Sequence, residues 1–139
     1  MIDVKSLRIG NIVGDPHNDG THAPVIIVDL YGDNKVSYKT KEGETCIAPT
    51  GELEGIPITE EWLIRFGFQR FPLPYQSEHF HRLPNGFEVM ICGDGKIRRI
   101  ITFAGAVGYS MQGGLGIPSV HDLQNLYFAL TGEELKLKP

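Results

Sequence analysis

Cysteine, net charge and uninterrupted apolar stretches are all scarce in this chain of 139 residues, and each shortage removes a class of protein. The two cysteines, Cys46 and Cys92, lie far apart and outside any C-x-x-C spacing, so neither a zinc site nor a disulfide framework is expected. Thirteen basic against seventeen acidic side chains leave a formal net charge of −4, the wrong sign to attract nucleic acid non-specifically. Two basic clusters, Lys35, Lys39 and Lys41, and Lys96, Arg98 and Arg99, read as solvated strand edges. Met1 to Asn11 lacks the basic stretch followed by an apolar one that a secretory signal requires, so the expected location is the cytoplasm. Between Ile100 and His121 there is no charged residue, but five glycines together with Thr102, Ser110, Gln112, Pro118 and Ser119 interrupt the run. A bilayer-spanning helix is therefore excluded there, and no membrane partner is expected.

What the chain has in excess is glycine: seventeen residues, about 12% against roughly 7% usual, joined by nine prolines. That surplus points to short strands and many turns, in one domain of α+β class. Val- and Ile-rich segments at 8–13, 25–31, 35–40 and 44–48, separated by Asn18-Asp19-Gly20, Gly32-Asp33-Asn34 and Lys41-Glu42-Gly43, predict an N-terminal antiparallel meander over residues 1–55, drawn by analogy as a small SH3-like barrel. A helix over 60–66 follows, with Thr59 as N-cap, acidic residues in its first turn, Ile58 placed to staple against Leu63 and Gly67 at the C′ position. Trp62, Leu63 and Phe66 form its inward face. Pro72 and Pro74 make 69–77 a loop, and strands at 78–83, 87–92 and 96–103 predict a second meander. In Phe87-Glu88-Val89-Met90-Ile91 the period is two, so one face of that strand is buried. A glycine-rich loop leads to a helix over 120–131, with Ser119 as cap, Asp122 as a variant capping box and Gly132 as terminator. Phe128 and Ala129 broaden its apolar stripe, which predicts packing on more than one side.

Three blocks carry a resemblance. Leu7-Arg8-Ile9-Gly10-Asn11-Ile12-Val13, then Ile56-Pro57-Ile58-Thr59-Glu60-Glu61-Trp62-Leu63 with Phe66-Gly67-Phe68, and Val120 through Gly132 together resemble a family of small proteins encoded by Bacteroidota, their phages and related mobile elements. The resemblance implies an origin, in a bacterial host, and transfers no catalytic or binding residue. Caps and core positions dominate the blocks, as a scaffold requires.

Candidate chemistry is sparse. Asp15-Pro16-His17-Asn18-Asp19-Gly20-Thr21-His22 begins like a calcium loop, but Ile26 stands where the bidentate Glu belongs. His17 and His22 are metal-ligand candidates on an exposed turn. His79 and His81 alternate on one strand and share a face, which suits chelation or acid–base work; with Phe80 inward, both imidazoles would face solvent. His121, in the first turn of the last helix, is expected to be neutral and structural. Gly113-Gly114-Leu115-Gly116 precedes the Ser119 cap, where backbone amides could hold an anion, with Tyr109 to stack and Arg98 and Arg99 to add charge. The stretch lacks both the P-loop Lys-Ser/Thr and G-x-G-x-x-G spacing after a strand, and no nucleophile motif is present.

The favoured function is that of a non-enzymatic phage or mobile-element accessory protein acting through protein–protein binding or self-association, without a cofactor. The competing readings are a protein that binds a nucleotide-like small molecule at Arg98, Arg99, Tyr109, Gly113, Gly114, Gly116 and Ser119, and a metal-dependent hydrolase using His17, His22, His79 and His81.

Overall fold

The computed structural model describes residues 7–15, 23–71, 79–91, 97–102, 107–110 and 119–138. Two helices and two antiparallel sheets make up an α+β fold. The chain divides into two compact units, Met1–Ile56 with Ser119–Leu126, and Pro57–Pro118 with Tyr127–Pro139. The final helix, expected to go with the second meander, is thus shared between the two.

In the first unit, β1 (Ile12–Asp15), β2 (Ala23–Tyr31), β3 (Lys35–Lys39) and β4 (Thr45–Pro49) form a meander in chain order. The sheet is an open ladder rather than the closed SH3-like barrel of the sequence analogy. One antiparallel bridge, Gly14 with Glu54, returns the chain to the outer edge of β1 after a 3-10 turn at Thr50–Glu52. The connections flanking β3, residues 32–34 and 40–44, each turn through a residue with positive φ, Asn34 at 61° and Gly43 at 89°. A left-handed residue at the end of a short turn matches the strand twist of such hairpins. Side chains alternating inward from these strands, among them Val13, Val25, Ile27, Val36, Tyr38 and Ala48, join Leu7 and Leu53 in one buried cluster.

The first strand starts four residues later than its sequence suggests. Asn11 folds its side chain back to accept the Arg8 N–H at 2.7 Å, its own N–H donates to the Arg8 carbonyl, and Gly10 has φ of 95°. This turn uses backbone groups that a strand over 8–13 would have needed.

In the second unit, α1 (Glu60–Arg65) begins at Thr59, whose hydroxyl accepts the Trp62 N–H. It ends in a Schellman motif: the Gly67 N–H donates to Ile64 and the Phe68 N–H to Leu63, with Gly67 at φ 97°. The second sheet has five strands in chain order, β5 (Gln69–Phe71), β6 (His79–Arg82), β7 (Glu88–Ile91), β8 (Ile97–Thr102) and β9 (Val107–Ser110). Two of them overturn loop assignments. Gln69–Phe71 precedes Pro72 and pairs with β6, and Val107–Ser110 lies within the charge-free run and pairs with β8. The β6–β7 hairpin turns through Pro84-Asn85-Gly86, again with positive φ at its third residue. A stack of aromatic rings fills the core: Phe87 meets Tyr127 edge-on at 4.9 Å and Phe68 at 6.3 Å. Offset and edge-on pairs of this kind add to plain burial.

The last helix, α2 (Val120–Thr131), buries Val120, Leu123 and Tyr127 and stops at Gly132, whose N–H donates to Phe128. The broad apolar stripe is not realised, because Phe128 is 40% exposed and Ala129 is exposed as well. Among the described residues no helix is long and apolar enough to cross a membrane.

Candidate functional site

Of the residues singled out from sequence, His17, His22, Gly113, Gly114 and Gly116 lie outside the described residues. His79 and His81 both fall on β6 as expected, with His79 opposite Ile91 in the ladder. The expected solvent-facing pair is not what forms: the His81 side chain is fully buried, its Nε2 3.6 Å from Oε1 of Glu60, the first residue of α1. Glu60 also lies 4.0 Å from an Arg70 guanidinium nitrogen, so the carboxylate stands between two nitrogen groups. Among the described residues, no three His, Cys, Asp or Glu are placed to hold a metal ion. Arg98 and Arg99 lie on β8 and Tyr109 on β9; the ladder pairs Arg99 with Ser110 and Ile100 with Tyr109. The two strands therefore bring the basic pair and the tyrosine to neighbouring register positions.

Ser119 is buried and already committed. Its hydroxyl donates to Asp122 Oδ2 at 2.5 Å and sits 3.2 Å from His121 Nδ1, while the Val120 N–H donates to the Ile56 carbonyl. The Ser119–Asp122 link joins two side chains, in place of the reciprocal backbone bonds of a capping box. An anion arriving at this helix end would meet a carboxylate and an amide that is already bonded. The trio of Ser, His and Asp is not a nucleophile relay either, because the serine proton points to the carboxylate and the imidazole to the serine oxygen. Burial lowers the pKa of His121, against the opposing pull of Asp122, so the neutral, structural histidine expected at this position is the form that burial favours. A second buried pair joins Tyr38 and Asp15, the phenol donating at 3.0 Å. Burial and then the Asp15 carboxylate push the Tyr38 hydroxyl well above the usual phenol range.

Polar residues that sequence reasoning passed over tie the first unit together. The Gln124 carboxamide accepts the Ile12 N–H at 2.8 Å and donates to the Gly10 carbonyl at 3.1 Å, so a helix side chain supplies what a neighbouring strand would. Asn125 Oδ1 accepts from both Asn11 and Arg8. The signal was present only as polar residues in the stripe of an otherwise apolar helix.

Two surfaces remain as candidate sites. The ladder places Tyr31, Lys35 and Pro49 side by side, then Asp29, Ser37 and Ile47, then Ile26, Lys39 and Thr45, all on one face of the first sheet. Three large apolar side chains stand exposed on it, Ile47 at 64%, Ile26 at 45% and Tyr31 at 42%. In the second unit an open cleft of about 280 Å³ has apolar walls from Phe66, Leu83 and Leu135. Asn85, Tyr127, Glu134 and Lys136 bring polar atoms to it. One wall comes from the segment after α2, which is held where the Lys138 N–H donates to the Arg65 carbonyl at 2.7 Å.

No family model matches the chain, and neither a curated protein nor a solved structure does.

Proposed function

We propose that the chain is a non-enzymatic accessory protein of the kind carried by phages and mobile elements of Bacteroidota, acting by self-association through the outer face of its first sheet. The observation that carries this reading is the exposure of Ile26, Tyr31 and Ile47, one from each of three successive rows of the ladder, on that face. Single exposed apolar residues are ordinary, but three gathered on one rigid sheet face form the kind of patch that a partner covers. The face also carries both signs of charge, Asp29 on β2 and Lys35 and Lys39 on β3, which suits a self-complementary two-fold contact.

Contact runs across the face rather than along the edge of β4. The Thr40–Glu44 and Asn34–Thr50 backbone bonds set the parity of the β3–β4 ladder, which leaves the backbone groups of Thr45, Ile47 and Pro49 directed outward. Pro49 has no N–H to give, so strand addition there is cut short.

Sedimentation velocity over a wide concentration range tests the reading. The wild-type chain is expected to associate reversibly, and Ile47→Lys, at an exposed position, to weaken association roughly tenfold or more. A chain that stays monomeric at every concentration removes self-association as the function.

A further inference from the structure

The cleft in the second unit has a chemistry of its own. Its lining includes the apolar side chains of Phe66, Leu83 and Leu135, and the hydroxyl of Tyr127, another lining residue, is held in one hydrogen-bonding role. Asn85 fixes that role. Its Oδ1 accepts the Phe87 N–H at 3.0 Å, so its Nδ2 must be the group that meets the Tyr127 oxygen at 2.8 Å. The phenol oxygen is thereby an acceptor from Asn85, and its own proton is left to donate elsewhere. The ring cannot swing away to find another acceptor, because it is buried and stacked edge-on against Phe87. Lys136, an exposed residue, also lines the cleft and carries a second, cationic donor.

A small cleft that sets the edges of apolar side chains beside a fixed neutral donor and a cationic residue is complementary to a particular ligand: a small apolar group that ends in a carboxylate. We infer that the cleft binds small hydrophobic carboxylates, the apolar part against Phe66, Leu83 and Leu135 and the carboxylate accepting from Tyr127 and Lys136. Its volume of about 280 Å³ is at the small end of ligand pockets, which suits a single aromatic or branched side chain rather than a nucleotide. Glu134, also at the cleft, places a negative charge there and sets the affinity for simple monocarboxylates at a modest level.

The test is a titration of the full chain with 3-phenylpropanoate, followed by amide and methyl chemical shifts, beside the uncharged 3-phenylpropanamide. Saturable shifts confined to Phe66, Leu83, Tyr127 and Leu135 are expected, with a dissociation constant on the order of 1 mM, and the amide is expected to bind about tenfold more weakly. Lys136→Gln, at an exposed site, should weaken the acid several-fold while leaving the amide nearly unchanged, whereas Tyr127→Phe, which keeps the ring but removes the neutral donor, should weaken both. Equal binding of acid and amide overturns the inference, as does the absence of saturable shifts at the cleft. Because Ile47→Lys alters a different unit, its effect on association and these titrations are read independently.

Discussion

Gln124 does the work of a strand neighbour with one side chain. Its carboxamide matches the spacing of a backbone amide, taking the Ile12 N–H and giving to the Gly10 carbonyl. The Ile12 amide is buried, so a nonpolar replacement of similar size would leave a donor with nothing to meet. Gln124→Leu is therefore expected to cost about 1–3 kcal/mol in urea unfolding, and a loss below about 0.5 kcal/mol would sink this account. Gly55 is the second residue whose role only the fold discloses. A Cβ there would stand 3.1 Å from His121 Cε1 and 3.2 Å from Ser119 Cβ, both parts of packed side chains, so Gly55→Ala should destabilise by about 1–3 kcal/mol. Neither residue announces itself in a linear reading, because each is defined by what a distant segment places against it. The same holds for His81: strand alternation correctly put it on β6 but could not say which face was inward until α1 supplied Glu60.

Elements were legible where the determinants are local. The start of α1 follows from Thr59 and its end from Gly67, and the hairpins at Gly32-Asp33-Asn34, Lys41-Glu42-Gly43 and Pro84-Asn85-Gly86 follow from a residue at their third position that accepts a left-handed backbone. Thr59→Ala should accordingly cost about 1 kcal/mol, with Thr59→Ser close to neutral; calorimetry on the three proteins separates a lost cap from a general packing change. Elements failed to show where they depend on partners. Gln69–Phe71 spans three residues, too few for a period, and Val107–Ser110 contains a glycine, so each becomes a strand only through pairing with its neighbour. The candidate surfaces divide in the same way. Ile26 is hidden inside the continuous run Val25 to Val28, and its exposure emerges only from the ladder with β3. The cleft draws on α1, a hairpin turn, α2 and the segment after it, a combination that no single stretch of sequence contains.

At the scale of the whole molecule, three stretches far apart in the chain, residues 10–12, Ile56 and residues 120–125, meet within the first unit. Gly10, Asn11 and Ile12 from the first bond to Gln124 and Asn125 from the third, and the Ile56 carbonyl from the second takes the Val120 N–H of the third. His121 lies at this meeting point, 3.6 Å from Asp122 and where a Cβ on Gly55 would crowd its ring. Its imidazole is buried and its pKa is lowered from the ordinary value of 6.5, burial outweighing the attraction of Asp122. Below 6.5 the unfolded chain takes up a proton at this residue that the folded chain resists, so folding is opposed increasingly as pH falls. The stabilisation is fully present above 6.5 and is lost from there down toward the lower folded value, with a slope of at most about 1.4 kcal/mol per pH unit for a single group. Urea midpoints followed by circular dichroism should therefore decline between neutrality and mildly acidic pH, and His121→Gln should flatten that decline. An unchanged slope in the variant would assign the titration to another group and leave His121 as a packing residue alone.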